Sequence, residues 1–138
     1  MKKVKISLII SVLNGEVFLG DTITSILNQC YSKFEIIIID GGSTDGSIEI
    51  IKSFISPKIK WISEPDKGIS DAFNKGIKLA TGDYINFQGD GDGFVNDHVL
   101  TDLFSNLDLQ IKPLVCGNIQ RINLKGNIIY KTKIKEKF

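Results

Sequence analysis

Two cysteines, one histidine and a net charge of +1 put several kinds of protein out of reach for this 138-residue chain. Cys30 and Cys116 share no metal or redox spacing, so they read as reduced structural thiols, buried as free cysteines usually are. Seventeen basic side chains against sixteen acidic ones create no global field that would draw nucleic acid. The longest apolar runs, Leu8–Ile10 and Ile36–Ile39, are strand-sized, far short of the ~20 residues that cross a membrane. The basic start Met1-Lys2-Lys3-Val4-Lys5 is followed by no apolar core of roughly 7–15 residues, so no signal peptide is expected. A cytoplasmic protein is the expectation. Lysines 131, 133, 135 and 137 read as a solvated end, with contact to acidic lipid at the inner membrane face as the alternative.

Familiar motifs are missing as well. The Gly41-Gly42-Ser43-Thr44-Asp45-Gly46 stretch contains neither G-x-G-x-x-G nor a lysine-bearing phosphate loop, which excludes dinucleotide and kinase-type readings. A phosphoacceptor domain would need acidic residues after the first strand, where Ser11-Val12-Leu13-Asn14 stands. Asp90-Gly91-Asp92 resembles the opening of a calcium loop, but Phe94 and Thr101 fall where further oxygen ligands are required. His98, at a helix start, reads as a surface or capping residue rather than a general base.

What is present alternates. Residues 6–12 have the pattern of a strand covered on both faces, apolar runs at 34–40 and 84–87 predict further buried strands, and residues 59–63 a shorter one. Between them lie helical periods: Leu19, Ile23, Ile26 and Leu27, then Ile48, Ile51, Phe54 and Ile55, then Phe73, Ile77 and Ala80. Expected caps are Ser43, Thr44 or Asp45 for the second helix, Ser70 or Asp71 for the third, and Asn96 or Asp97 for a fourth. That last helix runs on through Val99, Leu100, Leu103, Phe104 and Leu107, and Thr81-Gly82 is expected to close the third. Trp61 and Phe73 read as core. Leu114–Asn123 and Ile128–Lys133 predict an antiparallel hairpin around Lys125-Gly126-Asn127, whose open edge offers a route to a homodimer. Strand–helix alternation means right-handed βαβ units: an α/β domain with a mostly parallel sheet and helices on both faces.

In such a sheet ligands bind beyond the carboxyl ends of the strands. Those ends are Ser11–Asn14, Asp40–Ser43, Glu64–Gly68 and Asp90–Asp92, where the polar and glycine residues gather. Asp40 would either accept from a base N–H or ribose hydroxyl, or bond its own Gly41-Gly42 backbone. Asp90 and Asp92 are close carboxylates that call for a cation, and Mg²⁺ or Mn²⁺ would complete its shell with phosphate oxygens.

Ile9–Glu16, Ser25–Gln29, Glu35–Gly46, Ser63–Gly76, Ala80–Ile85 and Asp90-Gly91-Asp92, in unbroken order over about residues 5–105, resemble family 2 glycosyltransferases of the bacterial polysaccharide type. The resemblance implies a Rossmann-like GT-A three-layer sandwich and a nucleotide-diphosphate-sugar donor. By the same resemblance Ser11, Leu13 and Asp40 would line the nucleoside pocket, with Asp66, Lys67 and Asp71 near the nucleotide or sugar. Asp90 would face ribose or metal, and Asp92 would hold the metal on the diphosphate; many relatives carry adjacent aspartates where Gly91 intervenes here. It further implies inverting transfer to a saccharide or lipid-linked acceptor. Residues 1–138 would then be one donor-binding domain, with the acceptor site and the catalytic base expected beyond Phe138. No motif nominates Asp97, Asp102 or Asp108 as that base.

Overall fold

The computed structural model describes residues 3–105, 115 and 118–132. Strands β1 (Ile6–Val12), β2 (Phe34–Asp40), β3 (Ile59–Ser63) and β4 (Tyr84–Gly89) form one parallel sheet in the order β3-β2-β1-β4. β1 and β2 are buried at every position, as their nearly unbroken apolar sequences require. Alternation along each strand divides their side chains between two layers. Ile6, Leu8, Ile10, Val12, Ile36 and Ile38 pack against α1 (Leu19–Leu27), α2 (Ser47–Ser53) and α4 (Val99–Phe104) through Leu19, Ile23, Ile26, Ile51 and Leu100. Ile9, Ile37 and Ile39 face the other way, onto Ala72 of α3 (Ile69–Leu79). Each fully buried isoleucine contributes about 1.5–3 kcal/mol of transfer free energy. A side chain at Gly76 would overlap Ile9, so a glycine lets α3 lie close on the sheet.

The register aligns Val12 with Asp40, Asp40 with Ser63, and Ser11 with Gly89, bringing all four carboxyl ends to one edge. The chain adds β2 and β3 on one side of β1 and then crosses to place β4 on the other. That reversal puts the topological switch point between β1 and β4.

Several expectations change in detail. β4 is an outer strand among the described residues, with Ile85 and Phe87 exposed by 41% and 46%, because only β1 flanks it. α2 ends at Ser53, and Ile55 is solvent-exposed rather than helical. Gly46, Gly68 and His98 occupy the N-cap positions of α2, α3 and α4, and none makes a side-chain cap bond. Of the expected capping residues, Asp45 accepts the N–H of Ser47 at the start of α2 at 2.9 Å, whereas Asn96 Oδ1 accepts His98 N–H at 2.9 Å and Asp71 accepts Lys67 N–H at 3.0 Å. Ile77 is exposed. α3 stops on an extended Ala80, and Gly82 matters for proximity instead, since a Cβ there would stand 2.6 Å from Ser7 Oγ. Trp61 and Phe73 pack partly buried against the two cores, as expected. Cys30 is exposed, against expectation.

The hairpin is present but short, β5 (Gln120–Ile122) against β6 (Ile128–Lys131), with Gly126 at φ 82° in its turn. Leu107, Asp108, Leu114, Cys116, Lys133, Lys135 and Lys137 lie outside the described residues. Among the described residues no helix is long and apolar enough to cross a membrane.

Candidate functional site

Loops after β1 and β2 are laced together. Asn14, at φ 53°, accepts Thr44 N–H through Oδ1 at 2.8 Å, while its own N–H donates to Ser43 Oγ at 2.8 Å. Gly15 N–H donates to Ser47 Oγ at 2.9 Å, and Gly46 N–H donates to Glu16 Oε2 at 2.7 Å. Asp45 takes Glu16 N–H at 3.1 Å together with the N–H and hydroxyl of Ser47, and the Ser47 hydroxyl bond leads in holding its carboxyl below its ordinary value. Sequence reasoning singled out neither Asn14 nor Glu16 as a partner of the second loop. The available signal was polar residues in two loops at the same sheet edge.

Asp40 is fully buried beneath this lacing. Its Oδ2 accepts Gly42 N–H at 3.0 Å, Ser43 N–H at 2.9 Å and Ser63 hydroxyl at 2.7 Å, and its Oδ1 accepts the Ser43 hydroxyl. Burial would push this carboxyl up, but the bonds from Ser43, Ser63 and Gly42 outweigh it and hold it below its ordinary value. Four acceptances match the roughly four lone-pair positions of a carboxylate. Of the two readings left open for Asp40, the turn bonds are therefore the ones made. Ser11, buried on β1, pairs with Ile39 in the register, and Leu13 projects with 58% exposure.

Across the crevice Asp66 lies over Gly41, where an added Cβ would stand 2.7 Å from its Oδ2. Its Oδ1 accepts Gly68 N–H at 2.9 Å, and Gly68 sits at φ 113°. Lys75 of α3 reaches back to this loop, 3.0 Å from Glu64 and 3.6 Å from Asp71. The Lys67 N–H bond and the Lys75 charge lower the Asp71 carboxyl, and the bond to Glu64 raises Lys75. Lys67 itself is exposed.

Past β4 the chain folds back along α1. Gly91, at φ 97°, donates its N–H to Thr22 Oγ1 at 2.9 Å, and Phe94 N–H donates to Ser25 Oγ at 3.3 Å. Gln29 donates from Nε2 to Asn96 O at 2.6 Å and accepts Leu100 N–H at 3.0 Å. Thr22, Ser25 and Gln29 recur at helical spacing, a polar stripe that the apolar periodicity of α1 concealed. Asp92 closes the turn, its Oδ2 accepting Gly89 N–H at 2.8 Å and its N–H donating to Gly89 O at 3.1 Å. The Asp90 carboxylate rests directly on Gly15, where any Cβ would collide with it. Asp90 therefore stands at the switch point between β1 and β4.

Its electrostatics are one-sided. Burial pushes the Asp90 carboxyl up, and the charges of Asp92 and Asp45 push it further. Among the described residues no lysine, arginine or histidine forms an ion pair with Asp90 or Asp92. A pair of carboxylates in that state suits a hard divalent cation. Elsewhere, His98 does have a partner: its Nε2 lies 3.1 Å from Asp97 Oδ1. Asp102 is on α4.

This parallel sheet, with its polar loops at one carboxyl edge, has the GT-A fold of solved glycosyltransferases. The profile of glycosyl transferase family 2 matches residues 7–138, and the chain belongs to that family. An uncharacterized glycosyltransferase of Haemophilus influenzae is 41% identical over 128 residues, covering 90% of this chain and 50% of that relative. The chain thus spans half the length of that curated relative. Among solved structures, S. aureus TarS 1-349 in complex with UDP is 25% identical with a TM-score of 0.63, covering 71% of this chain and 30% of that one. The Pyrobaculum calidifontis mannosyltransferase PcManGT, in complex with GDP-Man and Mn²⁺, shares the fold at 18% identity and TM-score 0.69, over 75% of this chain and 32% of that one.

Proposed function

We propose that residues 1–138 are one donor-binding domain of an inverting glycosyltransferase in cell-surface polysaccharide synthesis, acting on a nucleotide-diphosphate sugar and a saccharide or lipid-linked acceptor. The observation that carries this reading is the Asp90 carboxylate, raised in pKa beside Asp92 and facing no cationic side chain among the described residues. The donor set fits the expected cofactor: Asp90 and Asp92, whose Oδ2 accepts Gly89 N–H, are hard oxygen ligands for Mn²⁺ or Mg²⁺. Such an ion, when bound, neutralises charge on the departing diphosphate.

The chain's own groups bind and orient the donor. The laced loops after β1 and β2 form the nucleoside wall with Ser11 and Leu13, and Asp40 holds the Gly41–Ser43 backbone in place from beneath. Asp66, Lys67 and Asp71 border the sugar side, with Asp71 fixing the Lys67 backbone. In the transfer, the acceptor oxygen bonds the anomeric carbon as the bond to the diphosphate oxygen breaks, and the acceptor proton passes to a base. None of the described carboxylates at this edge is assigned that role.

Because the chain spans half of its relative, a second reading keeps donor binding without transfer. Calorimetry with UDP and GDP, with and without Mn²⁺, tests what both readings share. Metal-dependent binding of one nucleotide is expected, and its absence for both nucleotides in folded protein would sink the proposal. Sugar transfer or donor hydrolysis by the chain then separates the enzyme from the binding module.

A further inference from the structure

A second cluster of ligating side chains lies at the far end of the same loop. Cys30, just beyond α1, and Asp97 and His98, just before α4, are all exposed, and their ligand atoms lie within 4.8 Å of one another. His98 Nε2 is already 3.1 Å from Asp97 Oδ1. We propose that Cys30, Asp97 and His98 form a binding site for a zinc-like divalent ion.

Three features of the backbone assemble this site before any ion arrives. Cys30 N–H donates to Asp97 O at 2.8 Å, fixing the two segments against each other. Gln29, the neighbour of Cys30, grips Asn96 O and Leu100 N–H on either side of the Asp97–His98 pair. His98 N–H donates to Asn96 Oδ1 at 2.9 Å, setting the direction of the loop into α4. Four-coordinate zinc with one sulfur, one nitrogen and one oxygen ligand places neighbouring ligand atoms roughly 3.4–3.6 Å apart, from bond lengths of about 2.0–2.3 Å. The His–Asp distance is close to that value. The thiol lies within 4.8 Å of both other ligand atoms, and a change of rotamer, open to an exposed side chain, brings it closer.

Ligand chemistry separates this site from the aspartate pair. A thiolate and an imidazole select zinc, cobalt or cadmium over Mg²⁺, whereas two carboxylates alone favour the hard ions. Three protein ligands leave one position for water or an outside donor. Asp97 also lines a groove of about 730 Å³ with Asp21, Ser25, Asn28, Phe94 and Asn96, which gives an outside donor room to approach. Binding there clips the end of the Asp90–His98 loop to α1 through side chains as well as backbone.

Cobalt titration of the full chain under reducing conditions provides the test. One equivalent of Co²⁺ should give thiolate-to-cobalt charge transfer and tetrahedral ligand-field bands, displaced by Zn²⁺ and not by Mg²⁺. Zn²⁺ should also raise the melting temperature. Cys30→Ser and His98→Ala should each weaken Co²⁺ and Zn²⁺ binding by more than the roughly 10–100-fold typical of losing an outer-sphere partner. Cys116→Ser and Asp92→Asn should leave the bands unchanged. A charge-transfer band that survives Cys30→Ser, one lost in Cys116→Ser, or no uptake by folded wild type would overturn the proposal.

Discussion

Glu35 at the amino end of the central sheet and Asp90 at its carboxyl end are both drawn out of water, and the fold treats the two in opposite ways. At the amino end Glu35 is almost wholly buried and accepts from Ser7 Oγ at 2.7 Å, Thr81 N–H at 2.7 Å, Thr81 Oγ1 at 3.0 Å, Lys60 at 2.9 Å and Lys5 at 3.1 Å. Burial alone would raise this carboxyl; the bonds outweigh it and hold it far below the usual carboxylate range. At the carboxyl end Asp90 is raised, and its nearest charges are negative. One end contains its own cations. At the other, no lysine, arginine or histidine among the described residues pairs with Asp90 or Asp92. The two carboxylates differ in their partners as well as in their burial.

Making the amino end resemble the other should have the largest effect. A Lys5→Ala, Lys60→Ala double variant leaves Glu35 buried without a cation, which should cost about 3 kcal/mol in urea unfolding at neutral pH. The pH dependence identifies the cause. Because the folded pKa of Glu35 lies below its unfolded value of 4.5, its contribution is present above that value and lost as pH falls through the folded one. The double variant should therefore lose most at neutral pH and approach wild type in acid. A loss equal at every pH would mean that the lysines act through packing alone.

The reverse operation comes second. Asp90→Asn removes a repelled charge, so in the absence of metal it should leave the melting temperature unchanged or raise it. The same variant should lower Mn²⁺-dependent nucleotide affinity about 100-fold, some 2.7 kcal/mol. If affinity and stability fall together, Asp90 is a structural residue like Glu35 and the contrast fails.

A smaller effect is expected from protons at the carboxyl end. Asp90 must be ionised to hold a cation, and its raised pKa lets a proton compete earlier than at an ordinary aspartate. Mn²⁺ affinity in calorimetry should fall as pH drops through that raised value. Metal-free stability should move the other way, since protonation relieves the cost of burying the charge and then the repulsion from Asp92 and Asp45. A Mn²⁺ affinity flat down to the ordinary carboxylate range would remove Asp90 from the site.

How far each end could be read from sequence follows from the range of its interactions. β1 and β2 were legible as near-continuous apolar runs, and the gathering of Asn14, Asp40, Asp66 and Asp90 at one edge followed from strand–helix alternation. The lacing was not legible. Asn14 meets Ser43 and Thr44 across about 30 residues of sequence, and the register that joins them is set by burial of the isoleucines. The capping assignments were met only in part: Asp45 accepts the N–H of Ser47, the first residue of α2, while also taking Glu16 N–H from the neighbouring loop, and Asn96 stops at the N–H of His98, one place short of α4. The role of Glu35 was not legible, because its partners Lys5, Lys60 and Thr81 come from three distant segments. Cys30 resembled a core thiol by type, and only the folded-back loop shows that it faces solvent near Asp97 and His98.

The smallest effect tests whether the carboxyl end is prepared by the fold or only by its charges. Thr22 is buried in α1, and its Oγ1 accepts the N–H of Gly91, the glycine separating the two aspartates. Thr22→Val keeps the shape and deletes the acceptor, leaving a partly buried N–H unpaired at about 1 kcal/mol. Gly91 is at φ 97°, a conformation that glycine tolerates and this bond helps to select. Without it the Asp90–Asp92 turn samples other shapes, and Mn²⁺ affinity should fall by roughly threefold to fivefold, the equivalent of that energy. The aspartates themselves are untouched, so any loss of affinity reports on positioning. An unchanged Mn²⁺ isotherm, in a variant whose unfolding shows the bond to be gone, would mean that charge alone readies this edge and that the α1 stripe serves stability only.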